Sequence, residues 1–349
     1  MRYASILATL FCALVYGSPA SFAQQPTQPS TASSPFDVIC GVGQTKPARI
    51  LFLGDSITHA GKYVAYVETL ARLEFRDAVR GIEFINCGLS SETVSGLSEE
   101  GHAGGKFPRP TVHERLDRVL AEVKPEVVVA CYGMNCGIYK PLAEERFAKY
   151  REGIESLRKK CFAAGAKQVV HLTPPVFDAL PIKDRVASAG SNDYSKPYAG
   201  YDEVLEAYGN WLLSKRADGW EVVDVHGPMK ALIRERRQTE PEFTVAKDGV
   251  HPNNLGHWLI AKAIMNEGKK VDDFAKYADG EAAVAAFPHG AEVLKLVEQR
   301  LALMHDAYLT ATKHKRPGVK EGLPLPEAKQ KSMEIEAKIV ELLKTPGKS

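Results

Sequence analysis

Five short apolar runs, each followed by a stretch with helical spacing, constrain this chain more than any other feature. They are "RILFL" (49–53), "IEFINC" (82–87), "EVVVACYG" (126–133), "KQVVHL" (167–172) and "WEVVDV" (220–225). Apolar residues in an unbroken run suit a strand covered on both faces, as in a parallel sheet. Helical patterns follow at 60–80, 110–123, 142–164 and 201–217, with more to about residue 270. This alternation predicts an α/β fold, a three-layer α/β/α flavodoxin-like sandwich with about five parallel strands. The C-terminal ends of such strands share one edge of the sheet, and that edge is where ligands bind.

Residues with catalytic chemistry lie at those ends. Ser56 follows the first strand in "GDSITHAG". Alone, a serine at a helix start reads more readily as an N-cap than as a nucleophile. Its hydroxyl needs a base, and the base needs a third group to orient it. Among ten histidines, His251 stands out because Asp248 precedes it by three residues in "DGVHP". A carboxylate at that spacing can reach the Nδ1–H of the imidazole and leave Nε2 free to take a proton. The plainer alternative is an Asp-Gly turn at the last helix with His251 merely exposed. Gly88 and Asn135, just beyond the second and third strands, are candidate donors to a developing oxyanion together with the Ser56 N–H. Separately, Gly88 reads as a turn and Asn135 as a cap.

Taken together, these residues resemble the SGNH, or GDSL-type, esterases and lipases. "GDSIT" is similar to the first family block, Gly88 in "NCGLSSETVSGL" to the second, Gly133-Met134-Asn135 to the third, and Asp248-Gly249-Val250-His251 to the last. The blocks occur in family order across about residues 48–265. The resemblance implies an SGNH hydrolase fold with Ser56 as nucleophile, His251 as base, Asp248 as its orienting partner, and an oxyanion hole of Ser56, Gly88 and Asn135. It calls for no metal or other cofactor. Two departures stand out: Ile57-Thr58 where the first block often has Leu, and Cys136 where the third often has Asp.

The loop 89–109 is long, polar and rich in glycine, and it leaves the edge that carries Gly88. Asp55, His102, Lys106 and Arg109 are the candidate ligand contacts, with solvated loop positions as the plainer reading for the last three. No apolar run there would line a long-chain lipid groove, which favours short acyl groups, acetyl above all, on a small-molecule or polysaccharide ester. A lysophospholipase or thioesterase, or a carbohydrate-binding protein without catalysis, are the alternatives. A formal charge of +2 without a long basic block gives no case for nucleic acid.

Both ends of the chain differ from this core. Arg2, an apolar stretch from Ala4 to Tyr16 and small residues at Ser21 and Ala23 have the layout of a secretory signal over 1–23. The stretch is too short for a membrane span. A disordered leader is expected over 24–47, the hydrolase domain over 48–270 and a helical appendage over 271–349, in a secreted or periplasmic protein. Loss of Cys12 with the signal would leave five cysteines, an odd number that cannot pair fully within one chain; none is spaced like a zinc ligand. Leu294, Val297, Leu301, Met304 and Tyr308 form one helical stripe, and a charged helix follows to about Leu343. That appendage reads as packing on the sandwich, or as an oligomer interface or cleft wall with Lys315 and Arg316 near the ligand. Nothing in the sequence specifies an oligomeric state.

Overall fold

In a computed structural model, which describes residues 49–188, 191, 195–266, 274 and 276–344, the five apolar runs become one parallel sheet. The chain enters it through β1 (Arg49–Gly54), which leads into α1 (Ser56–His59), α2 (Lys62–Glu74) and α3 (Arg76–Val79). β2 (Glu83–Asn86), α4 (Val112–Val123), β3 (Val127–Cys131), α5 (Glu144–Ala163) and β4 (Gln168–Leu172) follow. Then come α6 (Tyr201–Ser214), β5 (Glu221–Val223), α7 (His226–Arg236) and α8 (Asn254–Asn266). The expected signal, leader, Cys12 and Cys40 lie outside the described residues.

Strand order is β2-β1-β3-β4-β5, every pair parallel. The reversal of direction falls between β1 and β3, where Gly54 pairs with Cys131. Ser56 and Asn135 therefore leave neighbouring strands at the switch point, the crevice where open α/β sheets bind ligands. Ile50 to Leu53 and Val127 to Cys131 are buried throughout. Each fully buried Val, Leu or Ile contributes about 1.5–3 kcal/mol, so these two strands fix the tips firmly.

The helices cover this sheet by ordinary amphipathic logic. On α4, Val112, Leu116, Val119, Leu120 and Val123 are buried, an i, i+4, i+7, i+8, i+11 stripe. The helix expected over 60–80 is instead two pieces, α2 and α3, broken at Phe75, and Ala60–Gly61 separates α2 from α1. The longer piece, α2, is buried from Tyr63 to Leu73, because α8 and the C-terminal region pack against it as well. That region comprises α9 (Gly280–Ala285), α10 (Gly290–Ala311) and α11 (Leu325–Lys344). The expected stripe on α10 is buried, against α2 and β2. No helix among the described residues is long and apolar enough to cross a membrane.

Candidate active site

β1 ends at Gly54 because the chain doubles back over the strand tip there. A Cβ on Gly54 would lie 2.1 Å from Thr58 Oγ1 and 2.7 Å from the Cys131 carbonyl, so only glycine lets α1 fold down this closely. The next residue, Asp55, caps α1: its Oδ1 accepts the Ile57 N–H at 3.0 Å. Capping therefore falls to Asp55, and Ser56 becomes the first helical residue, with an N–H that has no intrahelical acceptor. The Asp55 side chain is buried and committed to this turn rather than open to a ligand. Burial pushes its carboxyl up to about 6, against the opposing pull of the Ile57 N–H and His251.

Across the edge, the turn before α8 builds the second half. Asp248 Oδ1 accepts the backbone N–H groups of Val250 at 3.0 Å and His251 at 2.8 Å. Its Oδ2 lies 2.6 Å from His251 Nδ1, and His251 Nε2 lies 2.8 Å from Ser56 Oγ. With Nδ1–H donating to the carboxylate, Nε2 of a neutral ring accepts the Ser56 hydroxyl proton. Burial alone would raise the Asp248 pKa, but the His251 and Val250 N–H groups and the imidazole together hold it below the ordinary carboxylate value. Half of each side chain, Asp248 and His251, is exposed (51% and 52%). The arrangement can deliver an activated hydroxyl to a carbonyl carbon at an open surface.

The expected oxyanion donors divide. Asn135 is buried beside the site, where its Nδ2 donates to the Glu92 carbonyl at 3.2 Å while Oδ1 accepts from Arg109 and Tyr139. Gly88 does not present its N–H to a ligand. That N–H donates to Asn86 Oδ1 at 2.8 Å, and the Gly88 carbonyl accepts from His305 Nε2 at 2.9 Å. Glycine is needed there for packing, since a Cβ would lie 2.4 Å from the His59 nitrogen. Three residues on, Ser91 takes a left-handed φ of 67°, and no described residue accepts its N–H.

The loop candidates also separate. Arg109 is drawn inward and paired with Glu99 and Asn135, with its side chain only 7% exposed. His102 packs edge-on to Phe107, with Nδ1 3.4 Å from Glu99. Lys106 points to solvent. Arg316, from the C-terminal region, stacks over Phe107 at 5.5 Å, while Lys315 pairs with Glu114 at 3.3 Å. Sequence reasoning missed Ser91, Glu99 and Tyr139. Ser91 gives no local signal because serine is not the residue favoured at positive φ, and the partnership of Glu99 with Arg109 depends on how a long loop closes. Among the described residues, no group of three or more His, Cys, Asp or Glu side chains is placed to hold a metal.

Comparison with solved structures finds similar chains at low identity. One is a gut microbial diltiazem-metabolizing enzyme, 20% identical with a TM-score of 0.46, covering 64% of this chain and 47% of that one. Another is a catalytic mutant of Axe2, an acetylxylan esterase from Geobacillus stearothermophilus, at 21% identity and TM-score 0.45, covering 63% of this chain and 93% of that one. TesA is 20% identical with a TM-score of 0.36, covering 63% and 94%. This chain thus spans about half the length of the first of these. No curated protein sequence matches it. Residues 52–259, more than half of the chain, match the model of one family. The chain belongs to the GDSL-like Lipase/Acylhydrolase family.

Proposed function

We propose that this protein is a serine esterase that removes short acyl groups, acetyl above all, through an acyl-enzyme on Ser56. The observation that carries the reading is the continuous link from Asp248 Oδ2 through His251 to Ser56 Oγ, at 2.6 and 2.8 Å. Ser56 Oγ attacks the ester carbonyl as its proton passes to His251 Nε2. Asp248 holds the imidazole in the accepting tautomer and stabilises the imidazolium that forms. Collapse of the tetrahedral intermediate breaks the ester C–O bond, and His251 returns the proton to the leaving alcohol. Water then repeats the sequence on the acyl-enzyme and releases the acid.

The oxyanion is met by the Ser56 N–H and the second Nδ2 proton of Asn135. The Ser91 N–H is the third donor, in place of Gly88. Two facts favour it: it has no acceptor among the described residues, and the neighbouring Glu92 carbonyl is bonded directly to Asn135. Half-exposed Asp248 and His251 suit an ester carried on a bulky alcohol such as a carbohydrate. The apolar stretch behind Arg2 supports export as part of this reading, and sequencing the mature N-terminus tests it.

The test is hydrolysis of p-nitrophenyl acetate by Ser56→Ala and His251→Ala, with fluorophosphonate labelling of Ser56. Loss of both rates and labelling of Ser56 alone are expected. Wild-type rates in both variants would overturn the mechanism, and absence of an adduct would favour a binding protein without catalysis. A preference for palmitoyl over acetyl esters would overturn the substrate assignment in favour of a lysophospholipase or thioesterase.

A further inference from the structure

Asn135 is oriented by hydrogen bonds at both ends of its amide. Arg109 Nη1 donates to Oδ1 at 2.9 Å and the Tyr139 hydroxyl donates to the same oxygen at 3.1 Å. Exchanging the amide nitrogen and oxygen would set N–H groups against a guanidinium and Oδ1 against the Glu92 carbonyl, so the network admits one orientation. The guanidinium is itself clamped: Nε and Nη2 donate to Glu99 Oε2 and Oε1 at 2.6 and 2.5 Å, leaving Nη1 for Asn135. The Tyr139 ring lies against it at 5.3 Å. Ile138 and Tyr139 both adopt left-handed φ, 50° and 56°, so the chain accepts local strain where that ring is placed. Cys136 cannot do the supporting work of a carboxylate, because its Sγ is buried and accepts the Val94 N–H at 3.4 Å.

We propose that Arg109 is a positioning residue, assisted by Tyr139, that holds the Asn135 amide toward the oxyanion and strengthens it as a donor. A cation on Oδ1 favours the charge-separated resonance form of the amide, which shifts positive charge onto Nδ2 and its protons. One Nδ2 proton is spent on Glu92 and the other remains for the reaction. Arg109 and Glu99 of the loop 89–109 thus act on turnover through Asn135 rather than by touching the substrate. The inference rests on the acyl-enzyme reading above, and Ser56-dependent hydrolysis is its reference rate.

The experiment compares Arg109→Met, Arg109→Lys and Tyr139→Phe on p-nitrophenyl acetate, each also in an Asn135→Ala background. Removing an oxyanion donor outright costs roughly a hundred- to a thousandfold, so weakening one by Arg109→Met should lower kcat roughly ten- to a hundredfold. KM should stay within about twofold, because the interaction belongs to the transition state. Arg109→Lys keeps the cation and should regain part of kcat. In the Asn135→Ala background, Arg109→Met should cost no more than about another twofold, since the two residues act as a unit. Tyr139→Phe removes one hydroxyl and keeps the ring packed on Tyr201 and Phe177, so it preserves the test should Arg109→Met fail to fold. Equal losses with and without Asn135, a loss carried by KM, or unchanged kcat in Arg109→Met and Tyr139→Phe would overturn the proposal alone. A rate that survives Ser56→Ala would overturn the acyl-enzyme reading and this proposal with it.

Discussion

His305 Nε2 donates to the carbonyl of Gly88 at 2.9 Å, joining α10 to the loop that leaves β2 across 217 positions of sequence. The His305 ring also meets His59, the last residue of α1, edge-on with centroids 4.5 Å apart. The C-terminal region therefore bears directly on both segments that flank Ser56. His59 is kept neutral beside it: burial first, then the neighbouring His305 and Arg316, lower its pKa to about 4. His305→Ala should strand the Gly88 carbonyl without a partner in the interior. An unsatisfied buried acceptor costs about 1–3 kcal/mol, so urea denaturation should show a loss of that order. Unchanged stability would mean that water replaces the imidazole there.

Asp248→Asn tests the orienting carboxylate separately from the base. An asparagine can still accept the Val250 and His251 N–H groups through its oxygen, so the turn should survive. Its amide nitrogen, however, faces Nδ1 and favours the tautomer with the proton on Nε2, which can no longer accept from Ser56. Turnover should fall by roughly a thousandfold or more with little change in thermal stability. A variant within about tenfold of wild type would show that the 2.6 Å contact to Nδ1 contributes little to the reaction.

Much of this site was legible in the sequence because its parts are short local patterns. "DGVH" places a carboxylate one turn before an imidazole, and a strand run ending in "GDS" places a hydroxyl at a sheet edge; both are geometric consequences of spacing. Even there, the identity of the cap was not legible. Asp55 and Ser56 are both good N-caps, and the sharp turn at Gly54 gives the role to Asp55. Gly88 misled for a related reason: a missing Cβ permits close approach but does not say to what, and here the neighbour is the backbone of α1. Arg109 was legible as a cation at the right edge but not as a buried one, since its burial depends on Glu99 and Tyr139 arriving from elsewhere. Periodicity over 60–80 does not register the break at Phe75, because apolar spacing reports burial and α2 is buried from Tyr63 to Leu73.

Asp55 gives a prediction for pH. Its carboxyl is raised from 3.8 to about 6, so the folded protein binds this proton more tightly than the unfolded chain does. The associated stabilisation is complete below about pH 4 and is lost as pH rises through about 6, leaving an ionised buried group that costs on the order of 2–3 kcal/mol. Asn caps helices as well as Asp does, so Asp55→Asn should keep the Ile57 contact and remove the titration. Urea midpoints should coincide at about pH 4, diverge between about pH 4 and 6, and favour the variant by that order above it. A gap independent of pH would locate the effect in packing rather than in ionisation.

The helices of the C-terminal region are tied to the sandwich by charge as well as by their apolar stripe. Glu68, fully buried on α2, accepts from Arg72 Nε at 2.7 Å and from Arg300 of α10, which reaches its Oε2 at 2.5 Å. Arg72 also donates to both oxygens of Glu336 on α11, at 2.8 and 3.0 Å. Removing Glu68 leaves Arg72 with Glu336, but Arg300 then has only the 3.9 Å approach to that carboxylate. Breaking a buried pair on one side costs about 3–5 kcal/mol because a charge is left uncompensated, whereas replacing both partners by apolar groups is often nearly neutral. Glu68→Met should therefore lose stability on that scale in urea denaturation, and Glu68→Met with Arg300→Met should recover most of it. If the double variant is no more stable than the single one, the network acts by shape rather than by charge, and the cost belongs to the packing of α2 against α10.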